Sequence, residues 1–343
     1  MLRDRHLFGR WASSFTLQWH LTNACEFSCR HCYDRTSLAC LPLSESERIL
    51  ESFLAFCRQR RVRGQICLTG GNPFLYPHFL DLYRAIAATD CPISILGNPV
   101  PEDQLAEIVE LRRPTYYQVS LEGLRDYDDY IRGAGHFQRV MDFLPLLRKW
   151  KVKSQVMLTL HKENIEQLLP LAEELRGRVD GFTFNRLSQM GAGATMVLPG
   201  KSEYIDLLRR YTVASRSNPH LKFKDGLFNI LRHHFGHART RGCTGFGCGA
   251  AFNFVAVLPD GQVHACRKFP SPIGNLREAN LTDVYASPAA RRYRKGSRAC
   301  RFCRLRKVCG GCLAVSHGSG LDELRALDPH CFMRERKRVL TTF

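Results

Sequence analysis

No apolar run in this 343-residue chain approaches the roughly 18 residues that a membrane-crossing helix needs. The N-terminal stretch MLRDRHLFGRWASSF is basic but lacks the apolar core of a signal peptide. The cytoplasm is therefore the expected compartment. There is no repeat of solenoid type. Acidic residues are the scarcer sign, 32 Asp and Glu against 50 Lys and Arg, which leaves a net charge of +18. Two readings of that excess stay open. One is a solvated basic surface; the other is a partner rich in carboxylates or phosphates, drawn by long-range attraction. Basic residues are dense in RRYRKGSRACRFCRLRK, residues 291–307. No aromatic stacking platform or reader motif accompanies them, so charge alone does not make this a nucleic-acid reader.

The most informative absence is a fourth cysteine. Residues 23–35, NACEFSCRHCYDR, carry Cys25, Cys29 and Cys32 spaced C-x3-C-x2-C. A structural zinc site wants four ligands, and a complete iron–sulfur cube wants four thiolates. Three thiolates leave one corner of a [4Fe–4S] cube open to a substrate or cofactor. His31 is too close to its flanking cysteines to complete a zinc set easily. Fifteen cysteines in a reducing compartment are not a disulfide framework. Three sit in this loop and eight between Cys243 and Cys331, which is the clustering of metal sites. Cys40, Cys57, Cys67 and Cys91 are scattered, as small apolar residues would be.

Over the first 200 residues the apolar pattern alternates between strand and helix periods. Strands are predicted at 15–21, 65–69, 92–96, 115–121, 154–160 and 181–187. Helices are predicted between them: from a capping box at Ser44–Glu47 through Ile49, Leu50, Phe53, Leu54 and Cys57, at 77–89 with a proline at the first helical position, at 101–111, at HFQRVMDFLPLLRKW with Pro145 a kink risk, and near 164–176. Six such units imply an α/β fold with right-handed crossovers and a parallel sheet. Ligands of such folds gather at the C-terminal strand ends. The unusual residues lie there: the cysteine loop, Gly70-Gly71-Asn72-Pro73, Gly97-Asn98, Ser120–Gly123, Thr159–Asn164 and Asn185-Arg186. Residues 188–200 read as a loop leaving this unit and 202–216 as a bridging helix. From about 240 the chain becomes Gly-rich, Cys-rich and basic. It has a hairpin at 253–265 turned by Pro-Asp-Gly and little apolar periodicity, a composition that metal staples would hold.

The loop C25-x3-C29-x2-C32 with Tyr33 after it, following one strand of an α/β chain, resembles the radical S-adenosylmethionine (SAM) enzymes. The resemblance covers nearly the whole chain. It implies a partial (β/α)6 TIM-type barrel, in which the three cysteines hold a [4Fe–4S] cluster. Its open iron would chelate the amino and carboxylate groups of SAM. One electron would cleave SAM to methionine and a 5′-deoxyadenosyl radical, which abstracts hydrogen from substrate. Gly70-Gly71-Asn72-Pro73 looks like the family's Gly-Gly-Glu-Pro, with Asn72 in place of Glu and the backbone contact to the methionine amino group retained. Ser120-Leu-Glu122-Gly resembles the strand-four motif that meets ribose or methionine. Ile131–Phe137 matches a segment common in one subgroup. His31 stands where adenine is touched, and Arg186 where that subgroup places a polar SAM contact.

The later cysteines resemble the SPASM extension, a small Cys-rich domain with two auxiliary clusters. The family's interleaved pattern would assign Cys243, Cys248, Cys266 and Cys312 to one cluster. Cys300, Cys303, Cys309 and Cys331 would hold the other. Cys309 and Cys312 stand one residue closer than the family's usual pair, and a zinc ribbon is the competing reading. The domains expected are an N-terminal extension at 1–14, the radical SAM core at 15–200, linker helices at 201–240 and the SPASM domain at 241–343.

The resemblance further implies a SAM-dependent oxidoreductase or maturase that modifies a peptide or protein. Ribosomal peptide maturation is the expected setting, at cysteine or selenocysteine as in the selenobiotic group. Too few residues precede the first strand for a winged leader-binding domain. An acidic leader would then be read by the barrel, the SPASM surface or a separate protein. Flavodoxin or ferredoxin would supply electrons, and the chain would act as a monomer without membrane or nucleic acid. No residue stands out as a general base. The alternatives are other radical SAM chemistry, such as tetrapyrrole side-chain decarboxylation, or a non-catalytic, metal-binding, nucleic-acid-associated protein. Sulfatase maturation fits less well, because Arg267 follows Cys266 where that type carries an Asp base.

Eleven clustered cysteines predict about 12 irons per chain after anaerobic reconstitution, as three cubes of four. Replacing Cys25, Cys29 and Cys32 together by Ala should remove about four irons by colorimetric assay. About four in the intact protein would contradict the two auxiliary sites.

Overall fold

The computed structural model describes residues 2–4, 10–236, 238 and 247–335. Two short strands, β1 (Leu2–Asp4) and β2 (Arg10–Ala12), form an antiparallel ribbon. Six strands follow: β3 (Ser14–Thr22), β4 (Arg63–Gly70), β5 (Ile93–Leu96), β6 (Tyr116–Ser120), β7 (Ser154–Leu160) and β8 (Gly181–Arg186). They pair in sequence order and all in parallel. The helices between them are α1 (Leu43–Arg60), α2 (Phe79–Ala87), α3 (Glu102–Arg112), α4 (Arg125–Arg132), α5 (His136–Lys149) and α6 (Leu168–Glu174). This is the α/β arrangement expected from the alternating periods.

Successive side chains of a strand point to opposite faces, and β3 uses both. Leu17, Trp19 and Leu21 are buried toward the helices, while Gln18, His20 and Thr22 line the interior cavity. On the helix side Phe15 meets Phe56 of α1 at 4.7 Å between ring centroids, and both are fully buried. Burying one such ring contributes about 1.5–3 kcal/mol.

After β8 come α7 (Lys201–Ala214) and α8 (Phe228–His234). The predicted hairpin is β9 (Phe254–Val257) and β10 (Gln262–His264), with β11 (Pro272–Asn275) beside it. This hairpin is continuous with the barrel sheet, because β9 pairs in parallel with β3. The sheet order is β11-β10-β9-β3-β4-β5-β6-β7-β8. Among the described residues three short α-helices follow, α9 (Leu281–Ala286), α10 (Pro288–Lys295) and α11 (Leu313–Gly318). Among the described residues no helix is long and apolar enough to cross a membrane.

Some local expectations differ. The helix expected to start from a Ser44 capping box begins at Leu43, after Pro42, with no side-chain cap. Glu45, in the first turn of α1, pairs with Arg277 at 2.8 Å. Pro77 precedes α2 rather than opening it, and α5 runs through Pro145. The basic run 291–307 is not wholly solvated. Arg294 is buried, donates to the Ala251 carbonyl at 3.1 Å and lies over the Tyr285 ring.

Candidate functional site

At the C-terminal ends of the parallel strands lies a cavity of about 780 Å³. Cys25, Cys29 and Cys32 line it, together with His31, Gly70, Gly71 and Ser120. The paired glycines have a steric reason of their own. Gly70 has φ +143°, and a Cβ there would strike the Thr22 carbonyl. A Cβ on Gly71 would strike the Ala24 carbonyl. The Gly71 N–H donates to Thr22 O and the Asn72 N–H to Ala24 O, each at 2.8 Å. The end of β4 is thereby pressed against the start of the cysteine loop. The Asn72 side chain faces away from the cavity. Its amide donates to the Glu26 carboxylate at 3.1 Å, and its oxygen accepts from Phe74 N at 3.2 Å.

The sulfurs have donors near them. Asn98 Nδ2 lies 3.5 Å from Cys25 Sγ, and Arg132 Nη1 lies 3.7 Å from Cys29 Sγ. Burial pushes all three thiols up, with Asn98, Arg132 and Arg35 opposing it. Donors aimed at sulfur suit thiolates that ligate an iron–sulfur cluster, whose charge they offset. The residues therefore fit the group that the loop spacing implies.

Glu122, expected as a cofactor contact, does not line the cavity. It is fully buried behind His31 and Arg132, which do. Arg132 Nε donates to Glu122 Oε1 at 3.0 Å, and the His31 Nε2 atom lies 2.9 Å from the same oxygen. The Thr159 N–H donates to Oε2 at 2.7 Å. Burial alone would raise this carboxyl, yet His31 and Arg132 hold it far below the usual carboxylate range. Arg186 also departs from expectation. Its buried guanidinium makes two 2.7 Å bonds to Asp328, one of 2.8 Å to Asp225, and lies 3.0 Å from His330 Nδ1. Those four contacts turn it toward the C-terminal region, away from the cavity.

Among the later cysteines, Cys248 and Cys312 act electrostatically on Cys266, whose buried thiol is pushed up to about 12. Cys303 and Cys331 act on Cys300, pushed up mainly by burial to about 11, and Cys331 acts on Cys309. Cys243 lies outside the described residues. Asp328 meets two of these cysteines: its carboxylate accepts from Cys312 N at 2.8 Å, and its carbonyl accepts from Cys331 N at 2.8 Å.

Sequence reasoning missed several participants. Residues 188–200 are more than a connector. Gly191, at φ +57°, is packed on the Tyr33 carbonyl, and Ala192 N donates to Cys32 O at 2.8 Å. The small residues there were the available signal. Arg132 was visible only as part of the 131–137 segment. Arg267 and Lys268, next to Cys266, enter the cavity wall. Arg267 pairs with Asp34 and lies over the Tyr33 ring, and Lys268 Nζ donates to Arg186 O at 2.7 Å.

Residues 19–175 match the Radical SAM superfamily model, and residues 248–312 match the SPASM iron-sulfur cluster-binding domain. An AdoMet-dependent heme synthase of Methanosarcina barkeri is 26% identical, over 94% of this chain and 97% of its own. The antilisterial bacteriocin subtilosin biosynthesis protein AlbA of Bacillus subtilis is 22% identical, over 86% of this chain and 66% of its own. The structure of Streptococcus suis SuiB bound to precursor peptide SuiA superposes with a TM-score of 0.70 at 18% identity, covering 92% of this chain and 75% of that one.

Two predictions follow from the geometry. Gly71→Val should displace the cysteine loop and lower both loop iron and SAM cleavage severely. Asn72→Ala, which loses one turn cap and the Glu26 contact, should cost only about 1 kcal/mol of stability and cleave SAM nearly as well. Iron assay and 5′-deoxyadenosine chromatography decide the order. Glu122→Gln leaves Arg132 buried without its charge partner and should cost about 3–5 kcal/mol. Because the folded carboxyl is depressed, its stabilisation is present above the unfolded value of about 4.3 and is lost only as pH falls through the folded value. Chemical unfolding should therefore give the same difference between wild type and variant at pH 7 and pH 5. A difference that shrinks over that span contradicts the assignment.

Proposed function

Taking as premise that this chain is a radical SAM enzyme with a SPASM iron–sulfur domain, we propose that it modifies a side chain of a peptide or protein. Cys25, Cys29 and Cys32 would hold the SAM-binding cluster. Cys243, Cys248, Cys266 and Cys312, and Cys300, Cys303, Cys309 and Cys331, would hold two auxiliary clusters. The cluster and SAM, when bound, supply a 5′-deoxyadenosyl radical that abstracts hydrogen from substrate. Gly70 and Gly71 let the β4 end approach the loop, and their backbone and Ser120 are offered to SAM. His31 presents its ring to the cavity from a position fixed by Glu122. Buried Arg132 and Asn98 keep polar hydrogens on the sulfurs. The parallel strands form the inner wall of the site, while Ala24, Cys25 and Glu26 of the loop are exposed.

The observation that carries the reading is a cavity of about 780 Å³ at the strand ends, lined by the three loop cysteines and within the range of small-molecule sites. The subtilosin relative and the SuiB–SuiA complex support the same reading. Arg291, Arg292 and Lys295 are exposed on α10 and would face an acidic leader. A second reading, a propionate-bearing tetrapyrrole, draws on the heme synthase relatives, which match over 94% of this chain.

Anaerobically reconstituted protein, SAM and a low-potential reductant test both readings. One arm receives a precursor peptide encoded beside the gene, the other a propionate-bearing tetrapyrrole. The expected outcome is faster 5′-deoxyadenosine formation in the peptide arm, with loss of hydrogen from the peptide by mass spectrometry. Turnover confined to the tetrapyrrole arm, with release of carbon dioxide, would overturn the peptide reading.

A further inference from the structure

Phe302 is the most exposed large apolar side chain among the described residues, at 88%, with Val197 next at 58%. A single apolar residue at the surface is ordinary, but this one stands between Cys300 and Cys303. Its backbone is fixed by successive turns. Cys300 N donates to Ser297 O at 3.2 Å, Arg301 N to Arg298 O at 3.0 Å, and Cys303 N to Cys300 O at 3.1 Å. The Arg301 guanidinium lies over the ring, 5.2 Å from its centroid, so a cation and not a core steadies this side chain.

The ring has a collar of one sign. Arg298, Arg301, Arg304 and Lys307 are all exposed. The adjoining loop, which Arg298 N meets at Leu324 O at 2.8 Å, carries Asp322 and Glu323. Those carboxylates are engaged elsewhere, by Arg325 and His317. Arg306 ties the turn to α10, donating to the carbonyls of Lys295 and Arg301. The exposed cations of α10 therefore extend the same positive field.

Shape and charge together restrict what can cover such a knob. The residues of this chain outside the described set include no Asp or Glu, and Arg336, Lys337 and Arg338 are cations, so none of them complements the collar. A flexible peptide binds along a groove or a sheet edge, and a protruding ring offers neither. A folded acidic surface with an apolar depression matches both the ring and its charges. Redox encounters between proteins have this form: they are brief, steered by charge and bury under about 1,200 Å². The cysteines on either side of Phe302 are two of those that the proposed function gives to an auxiliary cluster.

We propose that Phe302 and its basic collar are the docking point of an acidic one-electron carrier protein of the flavodoxin or ferredoxin type. This rests on the reading of Cys300 and Cys303 as cluster ligands. The ring enters the carrier's surface while Arg301 and Arg304 meet its carboxylates, which seats the carrier over the two thiols. The contact needs neither the cavity nor the α10 cations, and the latter add only long-range attraction.

Calorimetric titration of the anaerobically reconstituted enzyme with oxidised flavodoxin tests the docking without turnover. Phe302→Ser should weaken binding at least tenfold, and Phe302→Tyr should keep most of it. The side chain lies outside the core, so iron content should stay at the wild-type level in both. Arg301→Glu with Arg304→Glu should also weaken binding at least tenfold at low salt. Raising ionic strength should do the same to wild type, since surface charge is screened over about 8 Å at physiological salt. Dithionite, a small reductant that needs no docking, should bleach the cluster absorbance of wild type and Phe302→Ser at the same rate. Equal flavodoxin affinity in wild type and Phe302→Ser would overturn the proposal. Decaglutamate binding with the same dependence on Phe302 would overturn it also, because the site would then belong to an acidic peptide. Iron assay of Cys300→Ala with Cys303→Ala reads the cluster assignment separately: wild-type iron there removes that reading whether or not flavodoxin binds.

Discussion

A single buried carboxylate organises the cysteine loop. Glu122 has no exposure, and its two oxygens meet Arg132, His31 and the Thr159 N–H. It thereby joins the end of β6, the last turn of α4, the middle of the loop and the end of β7. Removing a charge from water is costly, and only good geometry with several donors offsets the cost. Few other arrangements of these segments would satisfy Glu122 so fully. The loop is therefore held in one orientation before any metal arrives. The network continues outward, since Glu122 N donates to Asp128 and Asp128 pairs with buried His136. Metal-binding thiols gain from this preorganisation, because the folding energy has already fixed their positions.

Arg186 plays the corresponding part at the other side of the cavity. Its guanidinium spans Asp225 from the segment after α7 and Asp328 from the C-terminal region. A fork of fixed geometry suits a bidentate carboxylate, and Lys could not make the same set. Asp328 in turn accepts from the backbone of Cys312 and of His330. Barrel strand, linker and cysteine-rich region are thus locked through one side chain. Gly310 and Gly311, which fill the short Cys309–Cys312 spacing, both adopt left-handed φ, a conformation that glycine takes without a steric cost.

The basic excess divides in the same spirit. Part of it is structural: Arg294 and Arg186 are buried against named partners, and Arg132 is mostly buried against Glu122. Part faces outward on α10. A third part, Arg267 and Lys268, faces the cavity from the cysteine-rich side. Net charge read from composition merges these three populations. Only their placement separates the residues that are buried in the fold from those that face solvent or line the cavity.

Much of the fold and part of the site were legible in the chain. Alternating apolar periods gave the six parallel strands, because local pattern decides which face of a strand or helix is buried. The cysteine loop and the paired glycines were legible because chemistry and close backbone approach restrict residue type within a few positions. Other features were settled by contacts across long stretches of chain. Arg186 meets Asp225 and Asp328, 39 and 142 residues away. Glu122 faces inward to Arg132 rather than out to the cavity, and β9 continues the barrel sheet beside β3. Periodicity cannot encode such partners, since it specifies burial and not which buried group meets which. The sequence by itself determined the elements and the grouping of cysteines along the chain. Tertiary packing decided which polar groups satisfy one another and which remain open for a ligand, because that depends on long-range pairing in a space where every unpaired group is costly.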